Sequence, residues 1–373
     1  MTQLKVDTIT DAAGTAAPDL ADGLTVNGAA LSTVNTAEYY SSGTEPSSPK
    51  NGAIWWDTAN DKVMIYVNDA WSEVSLGASA SSAAWYGDRG LIAGGEAAAG
   101  TLFNNIDYFD ITTTSNASDF GDLTVAGQYG GNGASDASRA LFASGDGRGN
   151  VIDYVTVSTT GNATDFGDRT VSGNSGSAMS DATYAVFGTQ ATNSNVLDYV
   201  TIQTTGNATD FGDTTIIGQV SATWSDSTYG VMMNRQNQDA DDTTNNIDYI
   251  TIASTGNATD FGDLTQRRHS AVGGGDTTRA VCAGGTSLSY SDYNIIDYIT
   301  TATTGNATDF GDLLAASRDL GSACNSTKVT FSGSSGHSNQ ISFITTQTTG
   351  NAADFGDMTY TARRTRGVSG AAS

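Results

Sequence analysis

Short apolar runs of four to eight residues recur along most of the chain, and none of them shows the 3.6-residue spacing of an amphipathic helix. In the run NIIDYITI from Asn294, apolar residues occupy both faces, with Ile296 and Tyr298 on one side and Ile299 on the other. A strand buried on both faces needs that pattern, whereas a half-exposed strand would alternate apolar with polar. Neighbouring runs such as HSAVGGG from His269 and RAVCAGG from Arg279 are built from small residues instead. The intervening Thr-Gly-Asn triplets suit tight hairpins, because Gly and Asn tolerate positive φ. The pattern predicts an all-β chain of short strands and close turns.

These runs form a repeat. The tetrapeptide DFGD starts at Asp119, Asp165, Asp210, Asp260, Asp309 and Asp354, at intervals of 46, 45, 50, 49 and 45 residues. Each is preceded at constant distance by IDY or a variant of it, at Ile106, Ile152, Leu197, Ile247, Ile296 and Ile341. One unit reads as four strands, a to d: HSAVGGG, RAVCAGG, NIIDYITI and ATDFGDL in the fifth copy. Strands a and b are rich in Gly, Ala and Ser, while c and d carry Ile, Tyr and Phe. Blades of a β-propeller converge on an axis and splay at the rim, so small residues belong inside and bulky ones outside. A period near 45 residues also suits four-stranded blades.

The sequence therefore predicts an all-β, six-bladed β-propeller over residues 79–373. Strands b, c and d occur six times, and after the last d strand the chain continues with TARRTRGVSGAAS, which matches strand a. That strand is expected to complete the first blade, next to GLIAGG from Gly90, and so to remove an exposed sheet edge. The order of strands, an Arg before strand a and a Gly pair ending strand b resemble kelch repeats, with the DFGD phenylalanine standing where kelch repeats have tryptophan.

Residues 1–78 lack the repeat. Residues 1–35 are low in bulky side chains and are expected to be an extended docking segment that needs a partner to order it. Residues 36–78 predict a small β-meander, with strands at Ile54 to Asp57, Val63 to Val67 and Trp71 to Val74, followed by a small-residue linker from Gly77 to Ala84. Here LKVDTITDAAGT…LTVNGAAL, followed by EPSSPKNGAIWWDTANDKVMIYVNDAWSEV, resembles the N-terminal part of virion structural proteins of tailed bacteriophages, above all tail-fibre proteins of marine and cyanobacterial phages. The TTGNATDFGDLT repeats resemble those of the same proteins. The resemblance implies a virion protein, made in a host cytoplasm, that docks on other virion proteins by its N-terminus and presents a distal domain to a host-surface glycan or protein. It also implies a homo-oligomer, by analogy a trimer.

Charge and composition narrow the chemistry. A formal net charge of -24 argues against nucleic acid as a partner, since phosphate binding draws on clustered Lys and Arg. The opening residues lack the apolar core of a secretory signal, and no run approaches membrane-spanning length. Cys282 and Cys324 sit among small and apolar residues and read as buried free thiols. DFG recurs six times without a catalytic HRD loop, so the Asp and Gly read as turn formers and the Phe as gap filler. Asp165, Asp168, Asp210 and Asp213 have equivalents in every repeat and read as structural, which sets a glycosidase aside. His269 and His337 have no acid in a fixed relationship, so no hydrolase triad is expected, and His269 reads as a structural hydrogen-bonding residue. No cofactor or metal is expected, although the Asp239–Asp242 stretch is acidic enough for calcium. Sequons at Asn116, Asn162, Asn207, Asn257 and Asn306 all fall at the c–d turn, whose turn chemistry explains them.

The longer repeats place insertions in two b–c connections, from Asn234 to Asn246 and from Thr286 to Asn294. Binding in a propeller lives in such loops. The candidate receptor-contacting residues are Arg235, Gln236, Asn237 and Gln238 in the fourth repeat, Tyr290 and Tyr293 in the fifth, and Phe103 in the first. The expected function is a non-enzymatic tail fibre or appendage subunit. The alternatives are a tailspike depolymerase and a capsid or tail decoration protein.

Overall fold

The computed structural model describes residues 25–26, 29–30, 39–59, 62–67, 70–73, 86–127, 131–173, 177–188, 194–237 and 242–372. The chain divides into two units, Met1–Ser81 and Ser82–Ser373.

In the first unit, Ile54–Asp57, Lys62–Val67 and Ala70–Glu73 form the expected meander. A fourth strand, Tyr39–Ser42, adds to it in parallel with Ile54–Asp57. The hydrophobic pattern did not announce that strand, because its YYSS sequence carries little alternation. Ala53, Trp55 and Ile65 form the buried centre, and Trp71 meets the rings of Trp55 and Tyr66 edge-on at 5.5 and 5.3 Å.

The described part of the second unit is all-β. In the fifth repeat, Val272–Gly275, Arg279–Ala283, Ile295–Thr300 and Thr308–Asp312 form one antiparallel sheet in chain order, strands a to d. The second, third and fourth repeats form sheets of the same order. The first and sixth belong to a nine-stranded sheet, in which Arg366–Gly370 pairs antiparallel with Arg89–Ala93. The C-terminal strand thus serves as strand a of the first repeat, as its sequence predicts. The whole is a β-propeller-like array of four-stranded antiparallel sheets.

Between the two halves of the nine-stranded sheet lies a two-residue strand, Gly131–Asn132, parallel to Gly321 on one side and to Arg366 and Gly367 on the other. Asn132 is buried and donates from Nδ2 to the carbonyls of Thr223, at 2.8 Å, and Gly273, at 2.9 Å. Strands a of the first, fourth, fifth and sixth repeats therefore converge on this segment. Their small residues make the approach possible: a Cβ on Gly273 or Gly367 would overlap the backbone of Thr223 or Ser322.

Successive repeats are joined through the DFGD and TGN motifs. In the fifth repeat a β-bulge pairs Ile296 with Gly311 and Asp297 with Asp309, which turns Phe310 inward against Tyr298. Gly311 has φ +147°, and a Cβ there would overlap the carbonyl of Gly350 in the next repeat. Ala352 donates to the Asp312 carbonyl at 2.7 Å, and Asn351 Oδ1 accepts from the Asp312 N–H at 3.0 Å. The sixth repeat meets the first in the same way, with Ala117 donating to Asp357 O at 2.8 Å and Asn116 Oδ1 accepting from the Asp357 N–H at 3.1 Å.

A second set of links runs through the Asp of IDY. Asp107, Asp153, Asp198, Asp248 and Asp297 are fully buried, and each accepts from the Thr that follows DFGD in the preceding repeat. Where Ser342 replaces the Asp in the sixth repeat, Leu314 replaces the Thr in the fifth, so donor and acceptor disappear together. Four of these carboxylates also hold buried guanidinium groups: Arg148 on Asp153 at 2.8 Å, Arg169 on Asp198 at 2.7 Å, Arg268 on Asp297 at 3.0 Å, and Arg235 on Asp248.

Candidate binding site

The b–c loops of the first and fifth repeats follow the same path. Gly94 and Gly284 donate to the first residues of strand c, Asn105 and Ile295, each at 2.9 Å. Phe103 and Tyr293 then donate back to Gly95 and Gly285, at 2.9 and 2.8 Å. At the tips, Gly100 donates to Ala97 and Tyr290 donates to Ser287, both at 2.9 Å. The two tips share left-handed backbone geometry, with φ +80° at Gly100 and +58° at Tyr290. A bulky residue in that region costs about 1–2 kcal/mol relative to its ordinary backbone, so Tyr290 holds a position that the sibling loop gives to glycine. Its side chain is 64% exposed.

The surroundings of Tyr290 are polar and held in place. The Arg318 guanidinium lies 5.4 Å from the centre of the Tyr290 ring, and the His269 ring meets it edge-on at 6.0 Å. Arg318 is ion-paired with Asp292, whose other oxygen accepts from Ser335 Oγ at 2.6 Å. From Arg318 the charges alternate onward: to Asp319 at 3.6 Å, to Arg364 at 3.2 Å, to Glu96 at 3.5 Å, and to Arg363 at 2.8 Å. The backbone runs along the same line, with Asp319 donating to Ser270 O at 3.0 Å and Arg364 donating to Asp319 O at 2.7 Å. The patch therefore extends from the fifth repeat through the sixth to the first.

His269 is 3% exposed, and its Nδ1 lies 3.1 Å from Ser270 Oγ. Burial lowers its pKa from the ordinary imidazole value, outweighing the opposing effect of Asp319 and reinforced by the Arg318 charge, which favours the neutral ring. The enclosed imidazole packs edge-on against the Tyr290 ring.

The sequence-predicted candidates separate. Tyr290 lies at the patch, and Tyr293 and Phe103 are half-buried at the bases of their loops, Phe103 with its ring 5.0 Å from Tyr360. Arg235 is a correction. It is fully buried in the strand Tyr229–Asn237, paired with Asp248, and unable to reach a receptor. The fourth-repeat insertion extends two strands, through the pairs Arg235 with Thr244, Gln236 with Thr243 and Asn237 with Asp242, where a b–c loop was expected. Gln236 is half-buried, Asn237 ends that ladder, and Gln238 lies outside the described residues, as do Asp239 and Asp241 of the acidic stretch. The patch around Tyr290 runs through the fifth, sixth and first repeats. Arg318, Asp292 and Ser335 were missed because each is ordinary alone and only the fold assembles them. The positive φ of Tyr290 was legible in principle, from the alignment of SLSYSDY with the Gly100 loop.

Such an exposed ring, with donors and acceptors at its edge, can lie against the C–H face of a sugar while its flank hydrogen-bonds hydroxyls. No protein-family model and no curated protein matches the chain.

Proposed function

We propose that the second unit is a six-bladed, kelch-like β-propeller closed by Arg366–Gly370, and that the protein is a virion fibre or appendage subunit of the tailed-phage type. On this reading it docks by its N-terminal segment and binds a host-surface glycan through the face around Tyr290. The closure is supported by the contacts between the sixth and first repeats, which repeat those between interior neighbours. The glycan reading is carried by Tyr290, an exposed aromatic kept in left-handed backbone geometry where the sibling loop has Gly100. Backbone strain of this sort persists where the surroundings over-determine it, and it marks functional positions.

Binding is favoured over hydrolysis because the carboxylates of this patch are engaged. Asp292 holds Arg318 and Ser335, Asp319 holds Arg364, and Glu96 holds Arg363. A paired-carboxylate mechanism needs one acid poised to donate a proton and a second free to act as base or nucleophile. Incubating the full-length protein with host cells and with their purified surface polysaccharide tests the reading. Saturable binding without release of reducing ends is the expected result, with immunogold label on an appendage of the particle. Release of sugar would move the assignment to a depolymerase, and label spread over the capsid would move it to a decoration protein.

A further inference from the structure

The first residue of strand b sets up a contact at the outer edge between neighbouring repeats. Arg139 stacks on Tyr154, with its guanidinium 4.3 Å from the ring centre, and donates from Nη1 to the carbonyl of Ile202 in the next repeat at 2.9 Å. Arg279 does the same on Tyr298 at 4.3 Å and to Thr346 O at 2.9 Å. Arg89 lies 5.0 Å from the Tyr108 ring centre and donates to Val157 O at 2.9 Å. In the sixth repeat Lys328 takes the role, over Phe343 at 5.3 Å and donating to Thr112 O at 2.6 Å and Ile111 O at 3.2 Å. The residue immediately after strand c of the following repeat is an acceptor in every case. Four repeats thus show what this groove accepts: a cation lying on an aromatic face and bonded to backbone carbonyl oxygen of the next repeat.

The third and fourth repeats depart from this, with a tyrosine in the cation's place: Tyr229 begins strand b of the fourth and meets the Tyr249 ring edge-on at 5.6 Å. In the third repeat Tyr184 begins strand b, and the register-equivalent acceptor in the next repeat is Ile252. Tyr184 turns its ring against Tyr199, edge-on at 5.6 Å, and supplies no cation. A cavity of about 260 Å³ is present at this place, lined by Tyr184, Tyr199, Phe211, Ile252 and residues 253–255. Its aromatic walls and its place in the register are those that hold a guanidinium or ammonium group elsewhere in the ring of repeats.

We infer that the groove between the third and fourth repeats is a binding site for an arginine side chain presented by a partner protein. The chain's net charge of -24 draws basic partner surfaces toward it. Arginine fits better than lysine because its planar group stacks on the ring while its edge N–H reaches a carbonyl. The site is separate from the Tyr290 face, so one can fail while the other stands.

Titration of the full-length protein with N-acetyl-arginine methylamide, followed by ¹⁵N NMR, tests this. The expected result is saturable shifts confined to the amides of Ile252 and residues 253–255. The neutral isostere N-acetyl-citrulline methylamide should produce none. Tyr184→Arg supplies the cation from within, as Arg139 does, and should keep the fold while weakening binding by about tenfold or more, the loss of a stacked cation and its charge-assisted hydrogen bond. Equal shifts with citrulline, or no saturable shift at 252–255, would overturn the assignment on the wild-type protein alone. Undiminished binding to a folded Tyr184→Arg variant would overturn it as well.

Discussion

Asp107 and Asp198 occupy the same place in the repeat and differ in what faces them. Asp198 holds the Arg169 guanidinium at 2.7 Å, with both side chains buried, whereas Asp107 is held by the Thr359 N–H and hydroxyl, each at 2.7 Å. Burial raises the Asp107 pKa above the ordinary carboxylate value, outweighing the Thr359 hydrogen bonds. The folded chain thus binds this proton more readily than the unfolded chain. Its contribution to stability is full below the unfolded carboxylate pKa and is lost as pH rises through the folded value. Asp107→Asn should therefore leave stability at pH 7.5 within about 1 kcal/mol of wild type and flatten its pH dependence above the acid range. Asp198→Asn strands a buried guanidinium and should cost about 3–5 kcal/mol. Urea denaturation at pH 5 and 7.5 checks both. The thiols offer an independent probe: burial pushes Cys324 up to about 12 and raises Cys282, so neither should react with a thiol reagent in the native protein, and both should react on unfolding. Their burial was legible from their small, apolar neighbours. The Asp–Arg pairs were not, because the arginines enter from four different places: the b–c turn at Arg148, the end of strand d at Arg169, strand b at Arg235, and the approach to strand a at Arg268. No fixed spacing announces a partner that only the fold supplies.

At the scale of the element, the strands followed from apolar runs and from the Gly, Asn and Asp residues that punctuate them. The glycine of DFGD is a close-approach position as well as a turn former. In Gly212→Ala the new Cβ would overlap the Gly256 carbonyl, at a backbone with φ +147°, and the loss should be about 2–3 kcal/mol. Gly256→Ala supplies the control, since a Cβ there meets nothing within 4 Å, and it should change stability by no more than about 0.5 kcal/mol. Thermal melts of the two variants make the comparison. The elements the sequence concealed are those whose pairing is nonlocal. Gly131–Asn132 is too short and too small to carry a period, and it exists because four other strands close around it. The extended hairpin at Arg235 was read as a loop because the longer repeat interval placed an insertion there, whereas its polar Arg235 and Asn246 are buried beside Asp248.

At the scale of the molecule, a closed ring makes the join between the last and first repeats equivalent to any other. Asn116→Ala and Asn257→Ala each remove one acceptor for a backbone N–H, that of Asp357 and that of Asp213. If the ring is closed, each should cost about 1 kcal/mol in urea denaturation; an open ring would leave Asn116→Ala without effect. The site is asymmetric on this regular frame, and Tyr290 is where the asymmetry is greatest. The most direct measurement is binding of Tyr290→Gly to host cells or their surface polysaccharide, alongside its urea denaturation. The account predicts stability within about 1 kcal/mol of wild type, because glycine is what the sibling loop carries at Gly100, and binding weaker by about tenfold or more, because a central aromatic contact is gone. Unchanged binding by the folded variant would contradict it.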